Sequence, residues 1–554
     1  MANDYDVVLV HPPSFHDFRR KPVLPGPVDR TVPIYTFLFI MFPIGMMSMA
    51  SFLDNRGVKV KIFNLAEKIL TEKSFKCEDI LRKLKSKIYA IGLHWSVHTN
   101  GAVEIAKLCK MLHPDSIVIL GGLTATCFAE ELVGNLPFVD GVIRGEAELP
   151  LYTLSRNLEK YDKTHAFKKT PSLTFRTPEG EIFSTNMCDV TNTLDELDFT
   201  RFDLVEPLER TITSPVTGAK LWNIPFCRGC LLNCATCGGS RYSYRKLLNR
   251  EYPAFRSPRR IFEDFITLDE LGIKSIFLFQ DPRMAGEKYV DELVKTFRGA
   301  KWTNIKNVGI ELFWPASKTY LEKLRSSDLA ENIGLSISPE SGNDNVRIAH
   351  GRHYFTEDVI KTVDNCIDFG IPVGVFFMIA LGHENYQTLS EMWTLWEKLL
   401  SRNTRGLRPA RVSVDFGPMI LLDPGSPAFF NAEKYGYRLV FKNFLDYYRG
   451  LNSPHWKYWI SYETMSIDRV SIGKAILDSW ETLSTIKWKL GLLTEREYEL
   501  ESIRVLFEKT VYNKIDKIIL EKPEEVDEIC KELVEISKDP LLSWNYVLTN
   551  DMEI

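Results

Sequence analysis

The sequence lacks any large excess of charge of one sign, since 69 Lys and Arg face 73 Asp and Glu and leave a net charge of −4 over 554 residues. No broad basic field is present, so a nucleic-acid partner is not expected. Disulfide-like cysteine spacing is missing too, with Cys77, Cys109, Cys127, Cys188, Cys366 and Cys530 scattered along the chain. No secretory signal opens the N-terminus. Together these absences point to a reducing cytoplasm. Full charge is also absent from residues 31–53, a run long enough to cross a bilayer. Pro33, Pro43 and Gly45 interrupt that run, and proline bars a regular helix through its middle. The expectation is a loop followed by a buried helix over 45–55, with no transmembrane segment. Apolar residues make up 45% and charged residues 26%, ordinary values for a globular chain, and the length predicts about three domains.

What is there in density is one stretch. Four of the ten cysteines fall within residues 227–237, in Cys227-Arg228-Gly229-Cys230-Leu231-Leu232-Asn233-Cys234-Ala235-Thr236-Cys237-Gly238-Gly239-Ser240. They follow an apolar run, 221–226, that reads as a buried strand. Thiolates packed this closely repel one another unless a metal takes up their charge. Zinc sites usually pair two Cys-x-x-Cys knuckles across a loop of roughly 12 to 20 residues. Here only three residues separate Cys230 from Cys234, which suits the tight wrap around an iron–sulfur cube better. A zinc site and chance clustering stay as alternatives.

Cys230, Cys234 and Cys237 spell C-x-x-x-C-x-x-C. This resembles the signature of the radical S-adenosylmethionine (SAM) enzymes. The resemblance implies that the three thiolates hold three irons of a 4Fe–4S cluster. The fourth iron is left for the amino and carboxylate groups of SAM, with Gly238 and Gly239 near them. Cys227 would close that iron if it were a fourth ligand, and is expected to be a bystander at the strand end.

The first 160 residues alternate apolar runs (6–11, 58–63, 89–93, 116–120, 141–144) with helical patterns (45–55, 78–86, 101–112, 128–134), which implies a parallel sheet covered on both faces. Ligands of such sheets sit beyond the strands' carboxyl ends. There the sequence places His11-Pro12-Pro13-Ser14, His94-Trp95-Ser96-Val97-His98, Gly121-Gly122-Leu123-Thr124 and Arg144-Gly145-Glu146. Together these loops resemble the cobalamin-binding Rossmann-like domain found ahead of many radical SAM cores. The resemblance implies a cobalamin site built from Pro13, Ser14, Trp95, Ser96, Val97, Gly121, Gly122, Thr124, Gly145 and Glu146. The D-x-H-x-x-G run that gives cobalt a histidine in methionine-synthase-like proteins is absent, so a cobalt without protein histidine is expected. His94 and His98 are expected to be surface or core histidines.

Residues 161–217 read as a connector with a hairpin around Pro178-Glu179-Gly180, and the run 195–215 as a crossing without a core of its own. From 218 to 430 six strand–helix units follow, with strands at 221–226, 275–279, 308–313, 333–338, 372–379 and 412–416. They resemble the partial (β/α)6 barrel of the radical SAM core. Active residues project from barrel strand ends. Gln280-Asp281 and Glu340-Ser341 sit at such ends, and the resemblance places them at SAM. Leu381-Gly382-His383-Glu384 stands where relatives more often have Leu-Pro-Gly-Glu, and residues 422–427 resemble the family's closing Pro-Gly-Ser/Thr-Pro segment. Residues 431–554 read as a mainly helical, aromatic-rich unit. Its aromatics either pack a core of their own or form a lid over an apolar substrate cavity. The charged run 524–538 reads as a solvated face.

The fold class expected is therefore α/β: a flavodoxin-type cobalamin-binding domain, a radical SAM barrel and a helical C-terminal unit. The resemblance implies a cobalamin-dependent enzyme that cleaves SAM reductively to a 5′-deoxyadenosyl radical. Its expected work is functionalising an unactivated carbon, by C-methylation of a bulky, lipid or isoprenoid substrate, in an anaerobic cytoplasm and with a flavodoxin- or ferredoxin-type electron donor. Three rivals stand beside it: a ring-forming or carbon–carbon bond-forming relative, a methylthiotransferase with a second cluster on Cys77, Cys109 and Cys127, and a non-enzymatic iron–sulfur or zinc scaffold. With Cys227 as a bystander, adding SAM to the reduced, reconstituted protein should change the cluster's EPR spectrum. An unchanged spectrum would mean that protein thiols saturate the cluster.

Overall fold

The computed structural model describes residues 4–17, 23–27, 41–72, 74–213, 218–403 and 411–529. Strand β1 (Asp4–His11) carries Val7, Val8, Leu9 and Val10, each at most 1% exposed, so both of its faces are covered. Near-continuous apolar runs of this kind are what a parallel sheet between helical layers requires. β1 lies between and parallel to β2 (Val60–Asn64) and β3 (Lys85–Gly92), and the sheet continues through β4 (Ile117–Gly121) and β5 (Gly141–Ile143). Because β2 and β3 flank β1 on opposite sides, a crevice opens beyond the carboxyl ends of β1 and β3. His11 ends one of these strands, and His94 and Trp95 follow the other.

The stretch read as a connector joins this sheet. β6 (Leu173–Arg176) and β7 (Ile182–Ser184) form the hairpin and add antiparallel strands outside β5, while β8 (Val205–Glu206) extends the far edge beside β2. Leu173 and Phe175 are buried, so the hairpin supplies apolar cover that β5 would otherwise lack. Nor is the run after it a bare crossing, because Leu194, Leu197 and Phe199 form a small core with Ala254.

A second sheet begins with β9 (Leu221–Pro225). Two short bridges, β10 (Cys227–Arg228) and β11 (Ala254–Phe255), pair antiparallel beside it. Then β12 (Ser275–Phe279), β13 (Asn307–Leu312), β14 (Asn332–Glu340), β15 (Val373–Ile379) and β16 (Val412–Pro418) follow in order, all parallel, as an open six-stranded barrel. Their residues alternate between fully buried and partly open. The fully buried set, such as Ile276, Leu278, Ile310 and Leu335, belongs to the core.

The chain then makes a hairpin, β17 (Tyr437–Leu439) with β18 (Tyr462–Thr464), and the helices Phe444–Leu451, Arg469–Lys489 and Glu495–Glu521. Trp456, Trp459, Trp480, Tyr437, Tyr447 and Tyr462 are buried to 1% exposure or less. Phe128 of the first domain packs on Phe429, Phe444 and Tyr447. One hydrophobic core runs without a break from Val7 to Tyr512, through all three units.

The uncharged run divides as expected where it is described, with helix Gly45–Asp54 following a loop, while residues 31–40 lie outside the described residues. No described helix is long and apolar enough to cross a membrane. Of the charged run 524–538, residues from Cys530 onward also lie outside.

One buried ion pair fastens the barrel's first helix, Pro258–Glu270, to the chain entering from the first sheet. Arg256 meets Asp264 through two bonds of 2.6 and 2.7 Å and donates to the carbonyls of Leu194 and Leu197 at 2.6 and 2.7 Å. Removing the guanidinium leaves a buried carboxylate and two carbonyls without their donor. Arg256→Met should therefore destabilise the fold by about 3–5 kcal/mol, read as a lowered unfolding midpoint. Asp264→Asn combined with it should recover part of the loss.

Candidate active site

β9 hands the chain to Cys227 and Arg228, and from Gly229 to Gly239 the loop is braced by its surroundings. The Ala235 amide donates to the His350 carbonyl at 3.0 Å, and the Ala235 carbonyl accepts from the Ala428 amide at 2.8 Å. Ser243 Oγ donates to the Gly425 carbonyl at 2.9 Å, and the Gly238 amide donates to Asp423 Oδ2 at 3.0 Å. Gly351 sits at φ +86°, where a Cβ would come within 2.7 Å of the Asn233 carbonyl oxygen, so only glycine lets that turn approach the loop.

Cys230, Cys234 and Cys237 line one cavity of about 430 Å3, together with Gly238, Gly239, Gln280, Glu311, Arg352 and Asp423. Backbone amides point at two of the sulfurs, Leu232 N to Cys230 Sγ and Gly239 N to Cys237 Sγ, both at 3.3 Å. Burial pushes all three thiols up, Cys234 to about 12. As thiolates they therefore need compensating positive charge, beyond what two amides provide. Among the described residues no three His, Cys, Asp or Glu side chains converge as they would on a single metal ion. Three thiols disposed around a cavity, with amide donors on their sulfurs, fit an iron–sulfur cluster. Cys227 stands apart: its buried thiol donates to the Gly229 carbonyl at 3.5 Å and lines a neighbouring cavity.

The residues expected at SAM divide into two groups. Gly238, Gly239 and Gln280 line the cluster cavity. Glu340 stands behind Arg352, whose Nε and Nη2 donate to Glu340 Oε1 at 3.1 and 2.8 Å, while Glu340 Oε2 is buried with no hydrogen-bond partner. Asp281 is instead consumed by the Arg283 guanidinium and by the amides of Arg283 and Phe313 at 3.0 and 2.9 Å. Ser341 is also fully buried and donates to Glu384 Oε1 at 2.8 Å. Asp281, Glu340 and Ser341 do not line the cavity, and the bonds of Asp281 and Ser341 hold the strand ends. Gln280, Glu340 and Ala380 take the left-handed conformation at φ +66°, +67° and +66°, where β12, β14 and β15 end. Such strain in non-glycine residues gathers where a site is being shaped. His383, also left-handed at φ +67°, is exposed where relatives more often have glycine, and Glu384 beside it is buried and pushed by that burial up to about 7.

A second, mainly apolar cavity of about 360 Å3 lies between the carboxyl edge of the first sheet and the barrel mouth. Gly121, Gly122, Ile119 and Trp95 line it from one side, helix Gly45–Asp54 through Met46 and Met49 covers it, and Cys227 and Arg228 face it from the other. His94, Trp95, Tyr244, Phe279 and Gln280 line both cavities and form the wall between them. Of the residues expected at cobalamin, Trp95, Gly121 and Gly122 line this cavity and Thr124 the cluster cavity. Pro13, Ser14, Ser96, Val97, Gly145 and Glu146 line neither. The Ser14 carbonyl accepts from the Gly101 amide at 3.2 Å, and the Ser96 carbonyl accepts from Thr99 Oγ1 at 2.6 Å, so both loops are tied to helix Thr99–Leu112. Glu146 is turned to Arg228 and Arg250, at 3.1 and 2.6 Å. Arg228 also meets Glu148 at 2.7 Å, and Ser48 Oγ donates to the same carboxylate at 2.7 Å. Burial alone would raise the Glu148 carboxyl, but the Arg228 guanidinium holds it below the usual range.

Glu311 and Arg352 were missed from the sequence, and Asp423 was noted only as part of the closing segment 422–427, without a place at the cavity. Each is a charged residue in an otherwise apolar or turn context, a signal too common to single them out. Cys77 and Cys109 are buried in the first domain's core, and Cys127 lies near Gly425, so the three do not gather as a second cluster site among the described residues.

Comparison with known proteins adds to this geometry. A family model described as "Radical SAM superfamily" matches residues 224–394, and one described as "B12 binding domain" matches residues 30–155. An uncharacterized methyltransferase of Pyrococcus horikoshii, PH0819, is 24% identical over 371 residues, covering 62% of this chain and 71% of the relative. The anaerobic magnesium-protoporphyrin IX monomethyl ester cyclase of Rubrivivax gelatinosus is 22% identical over 300 residues, 53% of this chain and 51% of the cyclase. Among solved structures, the radical SAM methyltransferase TsrM of Kitasatospora setae, with tryptophan and a SAM analog bound, superposes with a TM-score of 0.60 at 15% identity over 89% of each chain. The cobalamin-dependent enzyme OxsB, with aqua-cobalamin and SAM bound, gives 0.60 at 15% identity, covering 100% of this chain and 82% of that one. At these identities the superpositions show a shared fold.

The Glu340–Arg352 pair at the cavity's edge gives a direct test. Glu340→Gln keeps the shape and removes the charge, so it should weaken SAM binding roughly 10- to 100-fold in equilibrium dialysis while leaving the iron content unchanged. Loss of iron in that variant would assign Glu340 to holding the loop instead.

Proposed function

Since the chain belongs to the B12-binding radical SAM enzymes, we propose that it is a methyltransferase that places a methyl group on an unactivated carbon of a bulky substrate. Its cofactors are a 4Fe–4S cluster, SAM and cobalamin. When bound, the reduced cluster supplies the electron that breaks a carbon–sulfur bond of SAM, and the corrin carries the methyl group.

The observation that carries the reading is the wall shared by the two cavities. His94 and Trp95 come from the carboxyl edge of the first sheet, while Tyr244, Phe279 and Gln280 come from the barrel. A corrin against the first sheet and SAM against the cysteine trio would thus meet across one layer of side chains. In this reading Cys230, Cys234 and Cys237 hold three irons, with the Leu232 and Gly239 amides bracing the sulfur charge. Arg352 lines the cavity, and the Glu340 carboxylate behind it holds the guanidinium in place. Phe279, Phe313 and Tyr244 exclude water from the cavity where a carbon radical would be quenched. Electrons are proposed to come from a flavodoxin- or ferredoxin-type donor.

The lipid or isoprenoid substrate expected from the aromatic tail has no support from those aromatics. Trp456, Trp459 and Trp480 pack inward and line neither cavity. The acceptor is therefore proposed only as a carbon centre in a bulky molecule. The cyclase relative favours a second reading, ring closure without methyl transfer.

Anaerobic reconstitution with iron, sulfide and hydroxocobalamin, followed by turnover under strong reductant, tests the proposal. Methyl transfer adds the mass of one methylene to the acceptor, and label from methyl-deuterated SAM appears in the product. Ring closure instead removes hydrogen and carries no label. Alanine at Cys230, Cys234 or Cys237 should abolish SAM cleavage, whereas Cys227→Ser should retain it.

A further inference from the structure

We propose that the outer face of helix Arg241–Leu248 is the docking surface for a small acidic flavoprotein of flavodoxin type, which delivers single electrons to the cluster held by the loop before it. The inference rests on the cluster reading above and deepens it by placing the donor on named residues.

The helix is anchored on the cysteine loop itself. It starts four residues after Cys237, so Arg241 lies at most about 14 Å of extended chain away. The Arg241 amide donates to the Leu232 carbonyl and the Tyr242 amide to Asn233 Oδ1, both at 2.8 Å. Ser243 and Leu248 are buried, and Ser243 Oγ donates to the Gly425 carbonyl at 2.9 Å. Arg241, Tyr242, Arg245 and Lys246 therefore share the opposite face, spaced i, i+1, i+4 and i+5. Two other sides of the loop are already taken, one by His350 and Gly351 and one by Ala428.

The chemistry of this face fits one kind of partner. On a chain whose net charge is −4, it gathers three cations against one carboxylate, Glu251, which meets Arg241 at 3.4 Å and Arg245 at 2.7 Å. Among the described residues no carboxylate pairs with Lys246, whose ammonium lies 4.4 Å from the Phe430 ring centroid. Tyr252 is 66% exposed under the Arg241 guanidinium, and Leu231 and Phe430 are exposed as well. Large apolar side chains left in solvent and rimmed by charge mark an interaction surface. Its positive charge steers an acidic protein inward, and its small extent suits the brief encounters of electron carriers. The aromatic rings suit the apolar dimethylbenzene edge of a flavin, which a cluster caged by cysteines does not offer. One electron passes from the partner's reduced flavin, which leaves oxidised by one electron, to the cluster, which is reduced by one. No bond and no proton is exchanged.

The test is fluorescence anisotropy of a dye-labelled bacterial flavodoxin titrated with the full-length, reconstituted protein. Arg245→Glu combined with Lys246→Glu should raise the Kd roughly 10-fold or more at low salt and flatten its salt dependence. Deoxyadenosine release driven by that flavodoxin should fall in step, while release driven by titanium(III) citrate keeps the wild-type rate. A matched reversal on the last helix, Lys514→Glu combined with Lys517→Glu, should change none of these. Lys246→Gln alone leaves the Arg245–Glu251 pair intact and should give a smaller shift in the same direction. Unaltered affinity in the first double variant, an equal loss in the matched one, or a parallel loss with titanium(III) citrate would overturn the docking surface. Binding of a ferredoxin that needs these residues, with none of flavodoxin, would overturn the flavin. No deoxyadenosine from the wild-type protein with titanium(III) citrate would overturn the cluster reading, and the surface along with it.

Discussion

The arrangement depends on one buried charge cluster. Arg228 stands between Cys227 and Cys230, and its guanidinium reaches across to Glu146 and Glu148, with Arg250 and Ser48 completing the set. Desolvating these charges is expensive, and such networks contribute less to net stability than their short distances suggest. What they contribute is geometry, because each partner is left unpaired if either sheet shifts. The cysteine loop, one turn beyond Arg228, is thereby fixed against the carboxyl edge of the first sheet. The two sheets are thereby made to face each other at their functional ends.

Around that fixed point the polar residues divide between support and presentation. Asp281, Ser341 and Glu384 spend their hydrogen bonds within the barrel, on Arg283, on each other and on the Leu381 amide. They hold β12, β14 and β15 where the backbone turns into its left-handed conformation. Gln280 and Arg352, beside or in front of them, line the cavity, with Glu340 behind Arg352. A strand end can present only one side chain inward at a time, so neighbours in sequence take opposite tasks.

The C-terminal unit acts by closure of the core. Its tryptophans are buried, its Phe444 and Tyr447 pack against Phe128, and residues 423–428, which lead into it, meet the cysteine loop. The N-terminal segment contributes as well, since the Leu24 amide donates to the Pro454 carbonyl and the Trp456 amide donates to the Leu24 carbonyl, at 2.6 and 2.9 Å. The segment around Leu24 and the C-terminal unit therefore brace one another.

By itself the sequence determined the two parallel sheets and the family. Buried parallel strands announce themselves as short β-branched runs, and three cysteines in a fixed spacing are a local pattern that no distant residue can alter. The hairpin at 173–184 was legible as a hairpin, but its docking on β5 was not, because an edge strand finds its partner through apolar cover supplied from elsewhere. The site was legible in part. The thiols, Gly238, Gly239 and Gln280 are close in sequence to what announces them, while Glu311 reaches the cavity from the end of β13, Arg352 from the loop after helix Asp344–Ala349 and Asp423 from the loop after β16. Asp281 and Ser341 read identically to their neighbours until the tertiary structure showed which side chains were already engaged. Which polar atom is satisfied, and which histidine faces a cavity, depends on contacts between residues far apart in the chain, and those only packing decides.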